Sequence, residues 1–202
     1  EIKEAQSKIS RKEVTALRDM SVHLLHRRKI LAIAERVENR ASVYRYFVPI
    51  PSVGCYIPGG QARYPSSVVM SVVPARQAGV KRIVVVSPPG RDGKIDPLTI
   101  AAAKMCGATE IYKVGGAQAI AALAYGTKSI PKVDKIVGPG GKFVSIAKSL
   151  VSDQTAIDMV AGPTELGIIA DASSNPELVA LDLISQAEHS KDTMCFVITQ
   201  SK

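Results

Sequence analysis

The sequence predicts a doubly wound α/β fold, built from parallel-sheet βαβ units and preceded by an N-terminal helical segment. Short β-branched runs such as residues 82–87 alternate with helical runs such as residues 97–106, from about residue 46 onward. Glycine turns such as Gly115-Gly116 stand between a strand and the helix that follows it. Strands and helices that alternate in this way form parallel sheets with helices on both faces.

The N-terminal segment, residues 1 to about 46, is predicted to be helical because no Pro or Gly interrupts it. Ser10 is placed to act as an N-cap, with Glu13 at the capping-box spacing. Apolar residues recur at helical intervals at Val14, Leu17, Val22, Leu25, Ile30, Ile33, Ala34 and Val37.

The remainder of the chain begins with an extended segment, residues 47–60, whose Pro and Gly content excludes a helix. Helices and strands then alternate. The predicted helices are residues 64–79, 97–106, 117–125, 142–151 and 176–189. The predicted strands are residues 82–87, 110–114, 135–137, 166–170 and 195–199.

The composition, with 46% hydrophobic and 22% charged residues, is typical of a soluble globular protein. No apolar run approaches the length of a membrane span and no signal-peptide pattern opens the chain, so no membrane partner is expected. Cys55, Cys106 and Cys195 are widely spaced, which argues against a disulfide framework and for buried thiols in the reducing cytoplasm.

The net charge of +8 raises the possibility of nucleic-acid binding. Residues 1–50 contribute 11 basic and 6 acidic side chains. Aromatic residues make up only 4% of the chain and do not interleave with basic runs. The pattern therefore favours a solvated helical face, and no nucleic-acid partner is expected.

Glycine-rich turns follow several of the predicted strands, at the sheet edge where α/β proteins bind ligands. None of them is a GxGxxG or Walker A motif, and each alone is either a tight turn or a site for an anionic oxygen. Four such turns on one edge of the predicted sheet favour a ligand-binding crevice there. These turns are Gly59-Gly60, Gly115-Gly116, Gly138–Gly141 and Gly162-Pro163.

Gln186 and His189 lie three positions apart near the end of the last predicted helix, so their side chains share a face. An amide oxygen and an imidazole nitrogen there could hold a borderline-soft divalent metal such as zinc. The alternative is a solvated helix C-terminus with its His at the negative end of the dipole. These residues alone leave both interpretations open, the metal site and the solvated helix end.

Five segments together carry a family resemblance: residues 54–60 (GCYIPGG), 114–121 (VGGAQAIA), 133–140 (VDKIVGPG), 158–165 (DMVAGPTE) and 185–189 (SQAEH). In this order and at this approximate spacing they resemble the histidinol dehydrogenases, over residues 48–202. The resemblance implies a zinc enzyme that oxidises L-histidinol to L-histidine through L-histidinaldehyde in two NAD-dependent steps, the last of histidine biosynthesis.

The same resemblance implies a homodimer whose subunits contain two Rossmann-like doubly wound domains. Residues 1–54 plus 162–202 would form the first domain, with the N-terminal helices, and residues 55–161 the second.

By position, Tyr56 and Gln118 match the family's NAD contacts. A third contact, usually Asn in a Gly-Pro-Gly-Asn turn, is Gly141 here, where only the backbone could approach a phosphate.

Thr164 matches a family Ser or Thr that touches the substrate. Gln186 and His189 match two zinc ligands that also contact it. Zinc would mainly hold the substrate's amine and imidazole in place.

The family's catalytic Glu-His pair and its two other zinc ligands lie beyond Lys202, so no catalytic residue is expected in this chain. We therefore interpret the chain as part of a longer enzyme. The alternative is an NAD- or anion-binding α/β fragment without turnover of its own.

Overall fold

A five-stranded parallel β-sheet lies at the centre of residues 1–160, one of two compact units into which the chain divides. Residues 161–202 form the other unit. The structure, a computed structural model, describes residues 2–27, 33–38, 41–59, 63–160, 165–188 and 193–200.

The described residues form seven helices and nine strands. The first unit contains α1 (Ile2–Ser7), α2 (Arg11–Arg27), β1 (Ile33–Glu38), β2 (Ala41–Tyr46), β3 (Ser52–Tyr56), α3 (Pro65–Gln77), β4 (Arg82–Ser87), α4 (Pro97–Cys106), β5 (Glu110–Lys113), α5 (Gly116–Tyr125), β6 (Lys135–Val137), α6 (Lys142–Leu150) and β7 (Ala156–Ile157). The second contains β8 (Glu165–Ala170), α7 (Pro176–Ala187) and β9 (Met194–Thr199).

The strand order of the central sheet is β5-β4-β3-β6-β7, with every neighbouring pair parallel. The chain runs outward from β3 through β4 to β5, and α5 then returns it to β6 on the opposite side of β3. The point between β3 and β6 is therefore a topological switch point, the place where open α/β sheets bind ligands. The predicted α/β class with a parallel sheet is confirmed.

Both faces of this sheet are buried, which explains its unbroken β-branched runs. Cys55 and Val85 belong to a core shared with helices α2, α3 and α4. Val84 and Val86 belong to a second core, shared with α5 and α6. Successive residues of one strand thus enter opposite cores, as the pleat of a strand requires, and the sheet is doubly wound as predicted.

The N-terminal segment is only partly as predicted. The capping box is confirmed: Ser10 Oγ accepts from the Glu13 amide at 3.2 Å, and the Glu13 carboxylate accepts from the Ser10 amide at 2.9 Å. The predicted helix to residue 46 is wrong, because β1 and β2 form an antiparallel pair from Ile33↔Tyr46 to Glu38↔Ala41. Residues 33–46 contain β-formers such as Val43 and Tyr44 in a short, ambiguous apolar pattern, and strand pairing outweighed their helical spacing.

The second unit is a βαβ unit. Its strands β8 and β9 pair in parallel, and α7 connects them. The Asn175 side chain caps α7 by accepting from the amides of Glu177 at 2.9 Å and Leu178 at 3.4 Å. The joining of residues 1–54 with 162–202 into one discontinuous domain stays a prediction.

Among the described residues, no helix is both long enough and apolar enough to cross a membrane.

Substituting Gly54 in the middle of β3 tests how tightly α5 packs on the sheet. A Cβ there would lie 2.8 Å from Leu123 Cδ1, in a fully buried core. We expect Gly54→Ala to lower the free energy of unfolding by about 1–3 kcal/mol through overpacking, and Leu123→Ala by about 2–5 kcal/mol through a cavity. The double variant should cost less than the sum, because each change relieves the other. Denaturant unfolding measures all three.

The matched control is Gly141→Ala, whose added Cβ meets no atom within 4 Å. It should change the free energy of unfolding by less than about 0.5 kcal/mol. Strict additivity of Gly54→Ala and Leu123→Ala would contradict the packing described.

Candidate functional site

The candidate site lies at the carboxyl edge of the sheet, around the switch point between β3 and β6. Tyr56 ends β3 and is buried, with 5% of its surface exposed. Its phenol oxygen accepts a hydrogen bond from the Gly116 amide at 3.0 Å. Tyr56 therefore connects the central strand directly to the first residue of α5.

The start of α5 is shaped by two adjacent glycines. A Cβ on Gly115 would lie 2.4 Å from Pro88 Cβ, so only glycine allows this approach to the loop after β4. Gly116 has a φ of +69°, in the left-handed region that favours glycine. Gln118 follows in the first turn of α5, is exposed, and places its Oε1 2.8 Å from where a Gly116 Cβ would be. The structure thus brings Tyr56, Gly116 and Gln118 together.

The turn after β6 forms the other side of the switch point. Gly138 has a φ of +112°, and a Cβ on it would lie 2.1 Å from the Tyr56 carbonyl oxygen. Gly141 is the N-cap of α6, is exposed, and has open space where a side chain would begin. This turn therefore packs against the Tyr56 backbone at one end and faces solvent at the other.

Two helix N-termini, those of α5 and α6, thus begin at this edge. Neither has a side-chain cap or an acidic residue in its first turn. Their positive dipole ends and backbone amides match an anionic group such as a pyrophosphate. Of the predicted glycine turns, Gly60 and Gly162-Pro163 lie outside the described residues.

A neighbouring cleft of about 290 Å³ lies beyond the ends of β3 and β4, lined by Pro58 and Pro88 among others. Its lining includes two cations, and both are paired. Arg63 Nε lies 2.8 Å from Asp96, and Lys94 Nζ lies 2.9 Å from Glu4. Because this pairing neutralises its cations, the cleft is a weaker match for an anion than the two helix starts.

The sequence pattern does not mark Lys148 and Asp158 as functional, yet they hold the Gly138 turn. Lys148 Nζ donates to the Gly138 carbonyl at 3.0 Å and forms an ion pair with Asp158. Asp158 Oδ2 accepts from the Gly138 amide at 2.8 Å. One feature of the sequence indicates that Lys148 is buried. It lies four residues after Val144 and three before Val151, and this spacing places it on the buried face of α6.

The hydrogen bonds and ion pair of Asp158 favour the charged form of its carboxylate. Burial by itself raises the pKa. The hydrogen bond from Lys148 and those from the Gly138 and Met159 amides outweigh burial, so the pKa lies below its ordinary value of 3.8.

The remaining predicted site residues belong to the second unit. Gln186 lies in the last turn of α7 with its side chain half-buried. Thr164 and His189 lie outside the described residues. Within the described ranges, no three His, Cys, Asp or Glu side chains group as metal ligands. Gln186 and His189 supply an oxygen and a nitrogen donor, which fits part of a zinc site but not a complete set of about four ligands.

The cysteines are free, with Cys55 and Cys106 buried as predicted and Cys195 half-buried. Burial, and to a smaller degree the charge of Asp158, raises the pKa of Cys55 to about 12. A thiol that stays protonated is a poor nucleophile, so Cys55 acts as a core residue.

Comparison with known proteins places these features in one family. The histidinol dehydrogenase family model matches residues 1–202. Histidinol dehydrogenase of Methanocaldococcus jannaschii is 47% identical over 206 residues, covering 100% of this chain and 48% of that protein. That of Oceanobacillus iheyensis is 56% identical over 154 residues, covering 76% of this chain and 36% of that protein.

A solved structure agrees. The crystal structure of histidinol dehydrogenase from Elizabethkingia anophelis matches with a TM-score of 0.92 at 38% identity, covering 100% of this chain and 47% of that one. The chain therefore spans about half the length, or less, of these relatives.

The ion pair at the Gly138 turn should make stability depend on acid pH. The depressed pKa of Asp158 means that its contribution is complete above about pH 3.8 and is lost as the pH falls through the lower folded-state pKa. We expect Asp158→Asn to lower the melting temperature by a few degrees at neutral pH, and this difference from wild type to shrink below pH 3.8. Thermal unfolding between neutral pH and about pH 2 measures it.

Asp153→Asn is the matched control, because Asp153 is an exposed aspartate in the segment just before Asp158. Its effect on the melting temperature should be small throughout. If the difference in melting temperature between the wild type and Asp158→Asn stayed constant down to the lowest pH, the stabilising role of the charged Asp158 carboxylate would be contradicted.

Proposed function

This chain belongs to the histidinol dehydrogenase family, and we propose that it forms part of a longer enzyme of histidine biosynthesis. The proposed reaction is the oxidation of L-histidinol to L-histidine through L-histidinaldehyde, in two NAD-dependent steps. The observation that carries the proposal for this chain is the switch-point site, where Tyr56 joins the start of α5 beside the Gly138 turn.

NAD is the proposed cofactor of this edge, with Tyr56, Gln118 and Gly141 as its contacts. When bound, it accepts the hydride in each oxidation. Gln118 is exposed in the first turn of α5 and has an amide that both donates and accepts hydrogen bonds. The backbone of Gly141, at the uncapped start of α6, is open to a phosphate oxygen.

Tyr56 is proposed to act in two ways. Its phenol oxygen already accepts from Gly116 and thereby orients the start of α5. The phenol hydrogen stays available to a further acceptor, because a hydroxyl donates one hydrogen bond while it accepts others.

Zinc and substrate are proposed to bind in the second unit, at Gln186 and His189, with Thr164 as a further substrate contact. Zinc, when bound, would fix the amine and imidazole of L-histidinol. Gln186 would contribute its amide oxygen from the last turn of α7, where the residue is half-buried.

The acid–base chemistry is proposed to come from the rest of the longer enzyme, where the family has its catalytic Glu-His pair and its other zinc ligands. This fits a chain that spans 48% and 36% of the lengths of the two relatives compared. The complete enzyme is proposed to be a cytoplasmic homodimer, in which residues 1–54 and 162–202 form one domain and residues 55–161 the other, without nucleic-acid or membrane partners.

A second candidate function for the chain by itself is NAD or anion binding without turnover. The two uncapped helix starts favour it, because they need no residue outside the first unit.

One assay distinguishes the two proposed functions. It measures the reduction of NAD with L-histidinol and zinc, by the full-length enzyme and by this chain. We expect turnover in the full-length enzyme only, because no general base is assigned to this chain. Calorimetric titration of the chain with NAD then tests binding alone. Turnover by the chain itself would contradict the assignment of the base, and an inactive full-length enzyme with zinc bound would contradict the proposed reaction.

Gly141→Asn should raise the affinity for NAD. The backbone of Gly141 has a φ of −67°, which any residue adopts, and open space where the side chain begins. One added hydrogen bond of about 0.5–1.5 kcal/mol corresponds to a roughly 2- to 12-fold lower Kd for NAD.

Gly141→Ala adds the Cβ without the amide and should leave this Kd unchanged. An equal gain in both variants would show that the amide is not the cause. A loss in Gly141→Asn would contradict the placement of NAD at this turn.

A further inference from the structure

Lys148 is the one charged side chain among the buried residues that the structure describes, with 2% of its surface exposed. Burying an ammonium group is costly unless it is paired and hydrogen-bonded. An apolar side chain at this position of α6 would fill the same space without that cost. The presence of a cation at this position therefore indicates a role besides packing.

The partners of Lys148 converge on a single residue. Its Nζ donates to the Gly138 carbonyl at 3.0 Å, while its ion-pair partner Asp158 accepts from the Gly138 amide at 2.8 Å. Both backbone polar groups of Gly138 are thus bound by the two members of one ion pair. Asp158 is itself tied to the sheet, because its amide donates to the Ile136 carbonyl at 3.1 Å.

Gly138 is a residue whose backbone needs such support. Its φ of +112° is open to glycine, but glycine has no strong preference of its own for this conformation. Gly138 lies too close to the Tyr56 carbonyl for any side chain. Because the turn meets the end of β3 at this point, a small rotation of the Gly138 peptide groups would change how the turn packs there.

The ion pair also connects the turn to the helix that follows it. Lys148 lies in α6, and Gly141 is the N-cap of the same helix. Holding the Gly138 carbonyl from within α6 fixes the start of that helix relative to the end of β6.

We propose that Lys148 and Asp158 are positioning residues for NAD, which hold the Gly138–Gly141 turn in its binding conformation without touching the cofactor. The proposal rests on the proposed function, because it needs NAD at this turn. Neither residue takes part in the chemistry.

The test is steady-state kinetics of the full-length enzyme with Lys148→Met, which keeps the length and loses the charge. We expect the KM for NAD to rise about 10- to 100-fold, because a displaced turn loses binding energy that does not depend on the reaction step. The kcat should change much less, and the KM for L-histidinol should stay within about twofold.

Val151→Ala is the matched control, since Val151 is buried at the C-terminal end of the same helix. It should lower the melting temperature and leave the KM for NAD unchanged. Asp158→Asn keeps the shape of the carboxylate and should raise the KM for NAD as Lys148→Met does, so it decides the test if Lys148→Met fails to fold.

The outcomes separate the two proposals. A wild-type enzyme that neither binds nor reduces NAD overturns the proposed function. A wild-type enzyme that uses NAD, with Lys148→Met or Asp158→Asn reducing only the melting temperature as Val151→Ala does, overturns the positioning role and leaves the function standing.

Discussion

The approach of Gly138 to the backbone of Tyr56 is the constraint on which the candidate site depends. Strands β3 and β6 pair through Gly54↔Ile136 and Cys55↔Val137, and this contact brings the first residue after β6 against the last residue of β3. A Cβ at position 138 would reach within 2.1 Å of the carbonyl oxygen, so the turn after β6 would have to move away from β3. The start of α6 would move with it.

The first unit combines an apolar scaffold with a polar sheet edge. The sheet strands pack into two hydrophobic cores, one on each face. At the carboxyl edge of the sheet, a phenol oxygen, a buried ammonium and a carboxylate each bind backbone atoms of a glycine turn. A rigid sheet thereby carries loops whose conformation is set by a few hydrogen bonds, which is the usual relation between scaffold and site.

The parts of the fold that the sequence predicted are those with a strong local signal. The apolar, β-branched run of a strand such as β4 and the glycine turns after several strands predict the order of helices and strands from α3 to β9, except for the two-residue strand β7. The short apolar pattern of residues 33–46 fits the helical and the strand period alike, so it predicts a helix as readily as a strand, and only the pairing of β1 with β2 decides between them. Lys148 was missed because a lysine in an amphipathic helix is ordinarily solvated, and its partners at residues 138 and 158 come together only in the fold. The places of Tyr56 and Gln118 as cofactor contacts came from a family resemblance, and the geometry supports them without testing them.

The hydrogen bond between Tyr56 and Gly116 joins residues that lie 60 positions apart in the sequence. Between them lie α3, β4, α4 and β5, and both strands must pair in register before this bond can form. The helix α5 then returns the chain to the other side of β3, where β6 pairs. Such non-local contacts form late and slowly during folding. The switch-point site is therefore among the last features to be completed, and a ligand bound there would stabilise an assembled sheet rather than guide its assembly. During synthesis no ligand can bind at this edge until residues up to α6 have emerged, so the sheet must first assemble without one.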